Sequence, residues 1–385
     1  MEIEGDTYNI SVFFTSLAQN ANRIPFKGVE PKGDSINFRL QSDFYIYSFR
    51  NKWADNYSKL QGSLSVDTVT TEYILEKKLL DHKSAPLNEE INFQSNGTKL
   101  YGTIWYPETI RNKGLVIVTS SGNADRSASR AVAILFSQMG FTTYHYEKRG
   151  TGNSGGNWEV ATMKELLADD IKAISYFSEK TGIPLKEIGI KGSSQGATKT
   201  PYILSGLANL SYGIVVSCPR VALIDSDLNY WKNRNAEALG ENLDEASALQ
   251  RKVFEFIAGK LSRIDLEGAL NTEKSKSWLD KFWVSNLDEV QTDEKLNFTP
   301  IPYFERIKQP VLILQGTMDE IIPTNSHELI FNALAKSNSD KFEIILLVGA
   351  SHSMDYNGKS NFPYWSKLHP DYLKTVQGRI KTVAN

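Results

Sequence analysis

Gly192, Ser194 and Gly196 stand at the spacing Gly-x-Ser-x-Gly within Lys191-Gly192-Ser193-Ser194-Gln195-Gly196. A serine at the centre of this pattern can act as a nucleophile. A strand turning sharply into a helix lifts the hydroxyl into solvent, and the flanking glycines let the backbones pass closely. Leu185, Ile188 and Ile190 precede the turn as a buried-strand pattern, and an alanine-containing run able to start a helix follows it. By chance a chain of this length carries the pattern about one time in ten. It gains meaning only if a base, an acid and oxyanion donors follow in suitable places.

Asp319 lies in Gln315-Gly316-Thr317-Met318-Asp319-Glu320, directly after the apolar strand Val311 to Leu314. A carboxylate there can reach an imidazole on a neighbouring loop, and Glu320 is its nearest rival. His352 lies in Gly349-Ala350-Ser351-His352-Ser353, just after the last apolar strand. Of the other histidines, His82 precedes the sheet, His145 sits within an apolar strand, His327 starts a helix, and His369 falls in the terminal helical region. The chain order Ser, Asp, His is the one this serine turn predicts. One oxyanion donor is expected from the backbone N–H of Gln195. The other is expected from Ser121, with Ser120 as rival, on the loop after Leu115 to Val118. A second glycine-rich stretch, Glu147 to Gly156, lacks the Gly-Lys-Ser/Thr ending of a phosphate loop and the dinucleotide spacing. It reads as a tight structural loop with Arg149 tied by hydrogen bonds.

These residues need a scaffold. From Pro86 onward strands and helices alternate. Ile91 to Phe93 and Leu100 to Trp105 flank the turn Asn96-Gly97, a hairpin signal. Leu115 to Val118, Phe141 to Tyr146, Gly213 to Val216, Val311 to Leu314 and Phe342 to Val348 read as strands. Ala131, Leu135 and Met139, stopped by Gly140, and Met163 to Phe177 read as helices. The pattern predicts a mostly parallel α/β sheet covered on both faces. The interval between Ser217 and Val311 exceeds any simple crossover. It reads as a helical cap at about 219–305, with helical patterns at Ala246 to Ile264 and Ser275 to Leu287. Some of its aromatics (Tyr230, Trp231, Phe254, Phe256, Trp278, Phe282, Trp283 and Phe298) are expected to line an apolar substrate pocket. Residues 1–85 read as a small β-rich accessory region, with alternation at Ile36, Phe38 and Leu40 and a short linking helix at Thr71 to Leu80. Residues 86–385 form the main domain.

The formal net charge of -2 argues against nucleic acid or an anionic membrane surface as the main partner. The lone Cys218 excludes an intrachain disulfide framework. No apolar run approaches the roughly 20 residues of a membrane span. Ile10 to Ala18 resembles the end of a signal's apolar region, but Glu2, Glu4 and Asp6 precede it where positive charge is expected. It reads as a strand or helix of the mature protein, the alternative being a signal-like remnant. The compartment is accordingly cytoplasmic or, on that alternative, periplasmic or secreted.

Together the segments Asn96 to Thr103, Ser121 to Arg126, Arg149 to Gly155, Ala168-Asp169-Asp170, Ile188 to Gly196 and Gly316 to Asp319 resemble the α/β-hydrolase superfamily. Within it the chain is similar to bacterial serine carboxylesterases related to the dienelactone-hydrolase and acylaminoacyl-peptidase branch. The likeness covers about residues 86 to 384. It implies an α/β-hydrolase fold with a helical cap and an N-terminal β-rich extension, and a triad on Ser194, Asp319 and His352. It also implies hydrolysis of a small-molecule ester with an apolar portion, without metal or organic cofactor. Amides, thioesters or a purely binding role are the other activities such folds carry. The chain departs from the family at Thr119-Ser120, where His-Gly commonly begins the oxyanion loop, and at Ser193, where histidine is frequent.

Overall fold

The computed structural model describes all residues except 6–8, 17–18, 20, 42–44, 79–85, 110–111, 283–285, 338–340, 357–366 and 384–385. The N-terminal region is built of strands. β1 (Glu2–Gly5), β2 (Ile10–Ser16) and β3 (Ala21–Pro25) form one antiparallel sheet. β4 (Lys27–Lys32), β5 (Ser35–Gln41), β6 (Ile46–Ala54), β7 (Lys59–Val66) and β8 (Val69–Glu76) form a meander. Alternation works as expected: Ile36 and Phe38 face inward with Phe49, Leu60 and Leu64, while their neighbours face solvent. The rings of Phe26, Phe38 and Phe49 pack with centroids 4.7 to 5.4 Å apart. Ile10–Ser16 is a strand paired on both sides.

Thr71 to Leu80 is not a linking helix. Its first part belongs to β8, paired with β7 across a two-residue turn in which Asp67 has φ 49°. Val69, Thr70, Thr71, Tyr73 and Ile74 are β-branched or aromatic, and one face lies on the meander. Leu79 and Leu80, like His82, lie outside the described residues.

Among the described residues, eight strands make the large sheet: β9 (Asn88–Ser95), β10 (Thr98–Trp105), β11 (Gly114–Ile117), β12 (Thr142–Tyr146), β13 (Ile188–Ser193), β14 (Tyr212–Val216), β15 (Val311–Gly316) and β16 (Phe342–Leu347), in the order β16-β15-β14-β13-β11-β12-β10-β9. β12 through β16 run parallel with β11, and β10 is antiparallel to β12. The β9–β10 hairpin closes through Asn96 and Gly97, both at positive φ as a type I′ turn requires. α1 (Ser127–Gln138) and, after the last strand, the C-terminal helix Pro370–Val383 cover one face. α2 (Met163–Thr181) and α3 (Gln195–Gly206) cover the other. Thr162 and Glu165 close a capping box at the start of α2.

The segment between β14 and β15 is helical: α4 (Leu223–Leu239), α5 (Leu243–Ile257), α6 (Arg263–Thr272) and the short α7 (Ile301–Phe304). α8 (Ser326–Lys336) follows β15 and packs against α7 and β16, and α9 is the helix Pro370–Val383. The single helix expected over Ala246 to Ile264 is two, because Gly259 takes φ 73° and Ser262 caps α6 through a bond from the Asp265 N–H. Ser275 to Leu287 forms only the 3-10 turn Leu279–Lys281 among its described residues. Trp278 and Phe282 bury themselves over that one turn, too little to hold a longer helix. No helix among the described residues is long and apolar enough to cross a membrane.

Candidate active site

Ser194 sits between the end of β13 and the first turn of α3 with φ 54° and ψ -123°. A non-glycine residue adopts this only when its surroundings impose it, at a cost of about 1–3 kcal/mol. Here the Ser194 N–H donates to the Val216 carbonyl at 3.0 Å, and the Ser194 carbonyl accepts from Ala197 and Thr198. The two glycines are demanded by space. A Cβ on Gly192 would stand 2.2 Å from the Gly196 oxygen, and one on Gly196 would stand 3.0 Å from the Val118 and Thr119 oxygens. Among the described residues the Ser194 hydroxyl makes no hydrogen bond to the protein.

Asp319 and His352 meet on adjacent loops at the carboxyl ends of β15 and β16. His352 Nδ1 lies 2.9 and 3.1 Å from the two carboxylate oxygens of Asp319. The Asp319 side chain is fully buried, and its Oδ1 also accepts from the N–H groups of Ile321 and Ile322 at 2.9 and 2.8 Å. The loops interlock because Gly316 has no side chain: a Cβ there would stand 2.2 Å from the Ala350 oxygen. Glu320, the rival acid, contacts the backbone instead, accepting from the His352 N–H at 3.1 Å. Ser217, at the end of β14, donates its hydroxyl to the His352 carbonyl at 2.7 Å.

Ser120, Ser121, Ser194 and His352 line one cavity of about 280 Å3. Its other walls are largely apolar and come from the ends of β11 and β14, α1 and α9. Gln195 is buried beside Ser194 at the start of α3 and does not line the cavity. Among the described residues the backbone N–H groups of Gln195, Ser120 and Ser121 donate to no protein acceptor. None of the described cap aromatics reaches this cavity, contrary to expectation. Trp231, Phe256, Trp278 and Phe282 pack on one another inside the insertion, and Phe298 stacks on Tyr303. Phe254 packs with Ala222, Ile224 and Ala258. Trp283 lies outside the described residues. Burial of these large rings against each other outweighs leaving them to line an open cleft.

Several buried polar groups went unread in the sequence. The Thr119 N–H and hydroxyl both reach Asp170 Oδ1, at 3.2 and 3.1 Å. Lys199 of α3 bridges Thr119 Oγ1 at 2.7 Å and Asp170 Oδ2 at 2.6 Å, and the Tyr146 hydroxyl completes the carboxylate's shell at 2.7 Å. This network fixes the first residue of the loop where His-Gly is missing. Lys148 donates to the Ser120 carbonyl at 2.8 Å and to the Gly122 carbonyl, and lies 4.3 Å over the Trp158 ring. Burial first, then the Lys199 charge, pushes its pKa down to about 7. Arg149 binds Asp169 bidentately at 2.7 and 2.9 Å, so the glycine-rich loop is structural as expected. A lysine in the helix after a serine turn, five residues past it, was the readable signal for Lys199.

A doubly covered, mostly parallel sheet with a strained serine at a strand–helix turn and a histidine–carboxylate pair on later loops defines an α/β-hydrolase. Within that superfamily the chain belongs to the X-Pro dipeptidyl-peptidase (S15) family, whose model matches residues 96–353. It is similar to an uncharacterized 31.7 kDa protein of the traX-finO intergenic region of Escherichia coli, 21% identical over 214 residues that span 54% of this chain and 73% of that one. Among solved structures it is similar in fold to an esterase of Pyrococcus furiosus (TM-score 0.51, 14% identity, 80% of this chain and 95% of that chain). It is also similar to an acylaminoacyl peptidase of Pyrococcus horikoshii (TM-score 0.52, 14% identity, 99% of this chain and 55% of that chain). The protein is a hydrolase of the α/β-hydrolase type.

Proposed function

We propose that the protein cleaves carboxylic esters through an acyl-enzyme on Ser194. In this reading His352 takes the hydroxyl proton as Ser194 attacks the carbonyl, and Asp319 orients the imidazole. The N–H groups of Gln195 and Ser121 receive the oxyanion. His352 then protonates the leaving alcohol, and water releases the acid. The observation that carries the reading is one cavity holding both the strained Ser194 and a histidine bound to a buried carboxylate. The absence of a Ser194–His352 hydrogen bond is compatible with it, since such bonds tighten when substrate binds. Residues 1–85 form an accessory unit with its own core, residues 86–385 the catalytic domain, and about 219–305 a cap whose helices carry a separate core.

Membership in a peptidase family favours a second reading, amide cleavage by the same residues. Covalent labelling by a fluorophosphonate tests the nucleophile: well-folded protein that stays unlabelled, or a Ser194→Ala variant that labels equally, refutes it. Rates on p-nitrophenyl esters beside X-Pro anilides and acyl-CoA separate ester from peptide and thioester chemistry.

A further inference from the structure

Lys191 occupies the middle of β13, in register with Ile117 of β11 and Ile214 of β14. Strand alternation puts Ile188 and Ile190 against α2 and α3, so Lys191 faces the α1 and α9 side, where the cavity lies. Only 4% of the residue is exposed. Its ammonium donates to Ser193 Oγ at 2.7 Å, and among the described residues no carboxylate comes within ion-pair distance. Burial alone lowers its pKa to about 8, so the cation persists at neutral pH. A central strand position of this kind ordinarily holds an apolar residue, because a buried, uncompensated charge is destabilising.

The other charged groups lining the cavity are committed. Lys148 spends its ammonium on the Ser120 and Gly122 carbonyls, and Asp125 accepts the Ser127 N–H at 2.7 Å. Lys191 is left with unused donors facing a largely apolar cavity, three residues before Ser194. We propose that Lys191 anchors a carboxylate at the far end of the substrate's acyl chain, so that monoesters of short dicarboxylic acids are preferred. This rests on the reading of Ser194 as nucleophile. The acyl side is assigned because Lys191 lies down the strand, in the body of the sheet. The leaving alcohol must depart before water enters, whereas the acyl group stays on the serine and can remain anchored at the deep end. Apolar walls suit the methylene chain between the carbonyl and the anion.

The test compares p-nitrophenyl hemiglutarate with p-nitrophenyl valerate, which has the same chain length and no charge. The wild type should favour the hemiglutarate in kcat/KM. That ratio should fall about 30-fold in Lys191→Met, the loss expected of one charge-assisted contact. A wild-type ratio at or below one, or a ratio unchanged in Lys191→Met, overturns the proposal. If neither ester is turned over and Ser194 resists fluorophosphonate, the hydrolase reading fails separately, and calorimetric titration with glutarate decides the subsite. Saturable binding lost in Lys191→Met supports it, and no binding, or binding retained in the variant, overturns it.

Discussion

Lys191→Met should make the protein more stable at neutral pH while removing the cation from the cavity. Lys191 holds its pKa at about 8 in the folded chain against an ordinary 10.5, with burial as the cause. Two and a half pH units correspond to about 3 kcal/mol of unfavourable charge burial. The sign follows from proton counting: between about pH 8 and 10.5 the unfolded chain binds more protons at this site than the folded one, so wild-type stability rises with pH across that window. Methionine fills the stem's volume without the charge, and Ser193 loses one hydrogen-bond donor at a cost of about 1 kcal/mol at every pH. The variant should therefore lead by about 2 kcal/mol at pH 7; the lead should vanish at about pH 10 and reverse above it, because only the lost hydrogen bond then remains. Urea unfolding followed by tryptophan fluorescence at stepped pH measures the difference, and other titrating groups cancel between the two proteins. A difference flat from pH 7 to 10, or a variant less stable at pH 7, would refute the buried-cation argument. The gain should come with the loss of hemiglutarate preference, a stability–function exchange at a single side chain.

Ser194→Ala should abolish turnover with little change in unfolding midpoint, measured on p-nitrophenyl butyrate. Asp319→Asn should lower kcat by about four orders of magnitude through the wrong histidine tautomer, whereas Glu320→Gln, which removes a charge but keeps an acceptor for the His352 N–H, should cost far less; the reverse ranking would reassign the acid. Gly316→Ala should reduce activity more than stability, because its Cβ pushes on the Ala350 carbonyl and displaces the His352 loop; a variant with wild-type kcat/KM would contradict this. Lys199→Met should destabilise by about 3–5 kcal/mol in urea titration, since it strands the buried Asp170 carboxylate; a loss under 1 kcal/mol would show that Thr119 and Tyr146 suffice.

The fold was legible where one local pattern decided it. The β9–β10 hairpin announced itself through Asn96-Gly97, and the buried strands through uninterrupted apolar runs. The placement of Ser194, Asp319 and His352 at strand ends was legible because each closely follows an apolar run in the sequence. Thr71 to Leu80 misled because short mixed segments fit helix and strand alike, and pairing with β7 settles the matter across the turn at Asp67. The cap aromatics misled for another reason. Composition places rings in a segment, but whether they turn to a cleft or to each other depends on contacts between Trp231, Trp278 and Phe282, about 50 residues apart at the extremes of the sequence spacing. Asp170 and Lys199 were unreadable as a pair because only the sheet brings α2 and α3 side by side.

The insertion leaves the sheet after β14 and returns to it at β15, and these two strands are hydrogen-bonded neighbours. α5, α6 and the end of α4 close around Leu239, Leu249, Val253 and Leu266, while Leu223 at the start of α4 and Phe304 of α7 join the core under the sheet. Such a segment is a cassette with adjacent attachment points: it can be shortened, replaced or exchanged between relatives without rethreading the chain beneath it. The groove that holds Ser194 would keep its floor and walls through such an exchange, because none of those surfaces is borrowed from the insertion's rings.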